Sequence, residues 1–278
     1  MYPSHPGASI PTAAAPLSSS SSFGPVALAL CLSCALQAGV AHAADGGDDA
    51  VTPYRPSVSS PAQLPAAGQL ELELGGQRAR STDQRRTGLP YLFKLAFNAE
   101  WGVLLGGEAH VWSKDAAGNR LQGFGDTTLV LKRAWKASES TGFGVEVGAK
   151  LPTARDGIGS GKADCTVNTI FSRDLGPVHL DANVNVARLG AVDDGGSHTQ
   201  WGASTAVSTA LSDRWGLTGE WSGTRRPGAD SGSQLLAALT FSPTKRLTVD
   251  LGVARAVHPS PGVTTVFAGV VLPLGKWW

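Results

Sequence analysis

The chain has 278 residues, carries 23 basic and 22 acidic side chains, and is 42 % hydrophobic. So even a balance shows no basic excess that would point to nucleic acid or to an anionic membrane surface. Outside the N-terminal region no apolar run reaches the roughly eighteen residues of a helical membrane span, and 35 glycines with a single methionine suit a closed sheet better than a helix bundle.

Residues 26–40 (VALALCLSCALQAGV) form an apolar core, and Ala41-His42-Ala43 follows as a small-x-small cleavage signal. The pattern predicts a signal peptide over 1–43, cut after Ala43. It departs from the usual form in one respect: no Lys or Arg precedes Arg55, so the true start is open. A single helical anchor is the competing reading, and the shortness of the core argues against it. Cys31 and Cys34 leave with this segment, and Cys31 stands where a lipoprotein signal at Cys34 wants Leu. Cys165 is then the only thiol expected in the mature chain, which excludes an intrachain disulfide. Residues 44–68 are rich in Ala, Pro, Asp and Ser and read as a disordered periplasmic lead-in, with partner docking by its prolines as the alternative.

From residue 69 onward, segments of about ten residues alternate apolar and polar side chains. Tight connections at 98–100, 138–141, 174–176, 212–213 and 243–244 alternate with long ones at 80–88, 113–124, 152–161, 191–197, 224–231 and 259–261. A soluble sandwich has no reason to sort its loops by parity. A transmembrane β-barrel does, because its periplasmic turns are short and its outer loops long. The predicted fold is all-β: one up-and-down transmembrane barrel over 69–278. Its strands, about twelve, fall at 69–79, 89–98, 101–112, 124–136, 142–151, 162–173, 177–190, 198–211, 214–223, 231–242, 245–257 and 262–275.

Side chains change face at every residue of a strand. Val178, Leu180, Ala182, Val184 and Val186 therefore share one face, and His179, Asp181, Asn183 and Asn185 the other. Leu70, Leu72 and Leu74 stand likewise against Glu71 and Glu73, while Lys94, Asp126, Glu220 and Asp250 extend the charged set. In a barrel the apolar face meets lipid and the charged face lines a wet lumen. Phe97, Trp101, Trp135, Phe143, Trp215, Phe241 and Trp278 gather at the periplasmic strand ends, and Tyr91, Trp201 and Trp221 at the outer ends, as two interfacial girdles. Trp112 is out of parity with the lipid face and is expected to line the mouth. Cys165 is expected to point outward as a small apolar residue.

A constriction that screens solutes is assigned to Glu146, Lys150, Lys162, Asp164, His179, Asp181, Asn183, Glu108 and Lys132, all at inward parity. The alternative for the Lys150, Lys162 and Asp164 group is a set of salt bridges that fills a narrow barrel. Residues 157–162 (GIGSGK) fall one short of a phosphate loop, lack its Ser/Thr, and join two strands without a helix. No metal-ligand spacing, H-E-x-x-H or G-x-S-x-G occurs. A hydrolase could be sketched only from His110 and Glu108, on one face of the third strand, with Ser172 or Ser208, and every histidine has inward or loop parity. No catalytic, metal or cofactor site is expected.

Three stretches resemble the family of outer-membrane proteins named for the meta-pathway of phenol degradation: 123–132 (GFGDTTLVLK), 150–164 (KLPTARDGIGSGKAD) and 174–184 (DLGPVHLDANV). Gly123, Gly125, Asp126, Leu129 and Lys132 match the first motif. Lys150, Pro152, Thr153, Gly159, Ser160, Gly161, Lys162 and Asp164 match the second, and Asp174, Gly176, Pro177 and Val178 the third. Cys165 departs from the family's aromatic. The resemblance implies an outer-membrane barrel that passes small organic solutes, with aromatic ones suggested only by the family name. A structural or loop-binding barrel and a lipid hydrolase are the alternatives. The partners expected are outer-membrane lipid, a small-molecule solute, and the outer-membrane assembly machinery through the C-terminal strand ending at Trp278, with no nucleic acid.

Overall fold

The computed structural model describes residues 50–192, 195–258 and 262–278. The predicted signal peptide, the first residues of the lead-in and the loop at 259–261 lie outside the described residues. The strands are β1 (Gln69–Arg80), β2 (Gln84–Ala96), β3 (Trp101–Asp115), β4 (Arg120–Gly123), β5 (Thr127–Ser138), β6 (Thr141–Leu151), β7 (Asp164–Leu175), β8 (Val178–Arg188), β9 (Thr199–Ala210), β10 (Trp215–Arg225), β11 (Gly232–Thr244), β12 (Leu247–His258) and β13 (Thr264–Lys276). All ladders between them are antiparallel. β1 pairs with both β2 and β13, and β3 links β2 to β5, so the wall closes on itself. Twelve strands make the barrel, and β4 is an extra strand paired only with the outer end of β3.

The lipid face follows the predicted parity. Leu129, Leu131, Val147, Val167, Val184, Leu239 and Leu251 are exposed in mid-strand, and Val147 and Val184 each reach 54 %. Branched apolar side chains left open around a closed wall are what hydrocarbon covers, since closure satisfies every strand's backbone without water. The protein is a transmembrane barrel of the bacterial outer membrane. Cys165 is exposed on this face, as expected. At the periplasmic end, ring centroids of Trp135 and Phe143 lie 6.2 Å apart, Phe143 and Phe171 5.6 Å, and Trp215 and Phe241 4.7 Å.

Three local expectations change. The long outer loop at 80–88 is a tight turn at 81–83, where Ser81 N donates to Gln84 O (2.9 Å) and Gln84 N to Ser81 Oγ (3.1 Å). The polar run around it reads as loop, yet it is strand that has risen out of the hydrocarbon. The strand expected at 124–136 begins only at Thr127, because Gly125 N turns to donate to Glu108 O (3.0 Å) and the ladder on β3 breaks between Gly123 and Thr127. Trp112 does not line the mouth. Gly88 faces Val111 while Pro90 faces Glu108, so β3 carries one extra residue there, and this bulge turns Trp112 outward opposite Thr87.

The largest departure is the lead-in. Residues 50–68, expected to be flexible in the periplasm, lie inside the barrel, with Tyr54 fully buried against Leu92, Leu104 and Val130.

Candidate functional site: a lumen encircled by its own N-terminal segment

The segment enters at the periplasmic rim, where Val51 N donates to Lys245 O (2.9 Å). It then follows the inner wall from strand to strand, offering backbone N–H groups to buried carboxylates. Thr52 N donates to Glu71 on β1 (3.0 Å) and Tyr54 N to Glu73 (2.7 Å). Arg55 forks onto Asp250 of β12, Nε to Oδ2 at 2.9 Å and Nη2 to Oδ1 at 3.0 Å. Val58 N and Ser59 N both donate to Glu220 of β10 (2.7 and 3.0 Å), and Ser59 Oγ donates to Ser204 Oγ of β9 (2.9 Å).

Ser60 is clasped from several strands at once. Its N donates to Asn183 Oδ1 (2.7 Å) and its O accepts from Asn183 Nδ2 (2.9 Å) on β8. Its hydroxyl donates to Glu146 of β6 (2.5 Å) and accepts from Lys132 of β5 (2.8 Å), which also donates to Pro61 O (2.7 Å). Ala62 N donates to Ser172 Oγ of β7 (2.7 Å). The chain then descends to Gly68, whose N donates to Ala96 O (2.9 Å) before β1 begins.

The path is a ring laid against the wall, and Tyr54 fills its centre. Its hydroxyl donates to Gln63 O (2.6 Å), tying the two arms together. Lys94 and Lys132 stand 4.4 and 4.1 Å from its ring centroid, in cation–π range. Burial first, then the charges of Glu146, Glu71 and Glu73, hold the phenol well above its ordinary pKa, so the hydroxyl stays a donor. Lys94 bridges Glu71 (2.9 Å) and Glu73 (2.6 Å), and Lys132 bridges Glu146 (3.0 Å). The wall carries more carboxylates here than lysines. Arg55 and the segment's N–H groups supply the missing donors, as buried charge requires.

The expected constriction residues separate into levels. Glu146, Lys132 and Asn183 grip the ring. Lys150 and Asp164 sit nearer the outside, where Lys150 Nζ meets Asp164 (3.0 Å), Asp126 (3.2 Å) and Ser160 Oγ (2.7 Å). Ala154 N also donates to Asp126 (3.0 Å), so the 152–161 loop is drawn onto inward-facing groups. Glu108 belongs to a separate outer cluster with Arg86 (2.7 Å) and Gln77 (3.2 Å). His179 and Asp181 lie at the periplasmic end, where His179 faces Asp174 (2.6 Å) and Asp181 (3.2 Å), and Ser172 donates to Asp181. The Lys162 side chain joins none of these, although its backbone O accepts from Ser160 Oγ (3.2 Å). β7 begins only at Asp164, and the left-handed Gly161 (φ 65°) turns Lys162 out into the exposed loop.

The sequence reading placed Lys94, Glu220 and Asp250 on lumen faces without a role, and did not single out Tyr54, Ser59 or Ser60. The usable signals were the surplus of inward carboxylates and the Tyr-Arg pair in an otherwise small-residue lead-in. The first two resemblance motifs converge in space, since Asp126 comes from one and Lys150, Ser160 and Asp164 from the other.

A family model described as "Putative MetA-pathway of phenol degradation" matches residues 53–274. The chain belongs to this family. The match starts inside the ring segment and runs through the barrel. No curated protein matches the chain in sequence. Among solved structures, an outer membrane channel from Pseudomonas putida F1 is similar, with a TM-score of 0.61 and 13 % identity over 83 % of this chain and 100 % of that one. The KdgM porin in complex with disordered oligogalacturonate reaches a TM-score of 0.49 at 8 % identity, over 72 % of this chain and 98 % of that one. The CymD monoaromatic hydrocarbon channel reaches 0.46 at 7 % identity, over 76 % of this chain and 89 % of that one. At these identities the likeness is one of fold.

Proposed function

We propose that the protein is an outer-membrane channel for small organic solutes, whose path runs from the outer loops past the ring of residues 50–68 to the periplasm. The observation that carries this reading is the lumen itself. Its wall presents many charged and amide groups, and the obstruction across it is the N-terminal segment, held largely by polar contacts beside one small apolar cluster around Tyr54. Hydrogen bonds of this kind, most of them to charged groups, contribute about 1.5–3 kcal/mol net each and can be exchanged for bonds to water. A barrel meant only as a wall has no need of them. The levels of mixed charge argue against strong selection for one sign of ion.

Ser59 and Ser204 supply the test, because their hydroxyl oxygens are 2.9 Å apart across the gap between ring and wall. The double variant Ser59→Cys with Ser204→Cys locks the ring in place when oxidised and frees it when reduced. Liposome-swelling rates across phenols, aromatic acids and sugars are measured in both states. Solute uptake that falls on oxidation and recovers with reductant is the expected result. If neither the wild-type protein nor the reduced variant passes any solute, the channel reading fails.

The second reading, a structural or loop-binding barrel, is favoured by the ring's occupancy of mid-lumen, and it gains if that last result is found. A lipid hydrolase has less support. Both ring nitrogens of His179 face carboxylate oxygens, so neither is aimed at the hydroxyl of Ser172 or Ser208. We therefore read the protein as a non-enzyme.

A further inference from the structure

The outer ends of β1 to β4 set four cations side by side. Arg80 lies opposite Arg85, Arg85 opposite Lys114, and Lys114 opposite Arg120. Directly opposed residues on neighbouring strands share a face, and strands are about 4.8 Å apart. Arg80 is outward because Ala79 is buried and Gln77 bonds inward to Glu108, and the register carries that orientation across the row. Arg78 adds a fifth cation one step below, opposite Thr87. All five are exposed, and none forms an ion pair among the described residues. Asp83 and Asp115 lie nearby, and neither makes an ion pair with the row among the described residues.

Like charges placed directly opposite each other in a sheet are destabilising. Four in a row, on a face that elsewhere is apolar, call for an external anion. Height on the barrel identifies it. A tilted strand climbs the roughly 25 Å apolar band of an outer-membrane barrel in about ten residues. Leu70 to Arg80 spans that interval on β1. Immediately below the row the same face carries Trp112, Leu89, Tyr91 and Leu74, so the cations stand at the level of lipid headgroups with acyl-chain surface beneath them. The periplasmic rim shows the contrast, since there Arg133 is paired with Glu100 at 3.0 Å.

We infer that the outward row Arg80–Arg85–Lys114–Arg120 is a binding site for the phosphate groups of an outer-leaflet phosphorylated glycolipid, with guanidinium forks on the phosphates and the apolar face below receiving acyl chains. Several adjacent phosphates match a linear row better than one ion does, and bidentate Arg–phosphate contacts are the strong form of this interaction.

Full-length protein purified in detergent is titrated with bis-phosphorylated lipid A and with the same glycolipid stripped of phosphate, and retention is read by native mass spectrometry. The phosphorylated lipid is expected to bind tightly and with strong salt dependence, and the stripped one weakly. Replacing Arg80, Arg85 and Lys114 each by Gln weakens binding by roughly fivefold per cation removed. Arg80→Lys with Arg85→Lys keeps the charge but loses the forks, so it binds between wild type and the Gln variants, and Arg188→Gln, at the outer end of β8 on the opposite side of the barrel, leaves binding unchanged. Heat-modifiable gel migration verifies that each variant is folded. Inorganic phosphate is a separate competitor; if it displaces the lipid at equal phosphorus concentration, the site holds free phosphate rather than a headgroup. Equal retention of both glycolipids, or unchanged binding by the triple variant, overturns the proposal.

Discussion

Arg55 and Asp250 show how much rests on single buried pairs. Both side chains are almost fully buried, so Asp250→Ala removes the carboxylate onto which the guanidinium forks. Breaking such a pair costs about 3–5 kcal/mol. The expected outcome is a loosened ring, read as faster chymotrypsin cleavage after Tyr54 in the variant than in the wild type. Tyr54→Phe removes only the bond to Gln63 O and should weaken protection by about 1 kcal/mol or less. If Asp250→Ala stays as protected as wild type, Arg55 is not what holds the ring. Much at this scale was legible. The inward parity of Glu146, Lys132 and Asn183 follows from period two alone, whereas their partner, Ser60, has no periodicity to read.

At the scale of the element, strand faces decide the energetics. Val147 lies mid-strand on β6 facing lipid, and a charge placed there at the bilayer midplane costs about 2–4 kcal/mol. Val147→Arg should lower the equilibrium stability of the barrel folded into liposomes by that amount, while Thr141→Arg at the rim should cost far less. Equal costs at the two positions would mean that β6 is not centred in the membrane. The strands themselves were readable to within a few residues wherever both faces carried a clear pattern. They were misread where the pattern leaves the hydrocarbon. Polar residues at Gln84 to Thr87 still ladder with β1 and β3, and the β3 bulge inverts parity at Trp112 with no local sign in its composition.

At the scale of the molecule, the ring makes contacts on strands from β1 round to β12, so its attachment is shared. Loss of one contact leaves the others, and effects of neighbouring losses should couple rather than add. Glu73→Ala combined with Asp250→Ala is therefore expected to raise single-channel conductance in planar bilayers by more than the two single variants together. Additive effects would show that the ring detaches in independent pieces. The sequence by itself determined the closed antiparallel wall, its orientation and its two faces, because alternation and turn length are local properties that a bilayer enforces residue by residue. Only the tertiary structure decided that residues 50–68 lie within the barrel. Nothing local makes that segment fold. It is ordered by carboxylates on distant strands whose buried charge needs its N–H groups and Arg55. Tertiary register likewise decided that four scattered cations stand in one row.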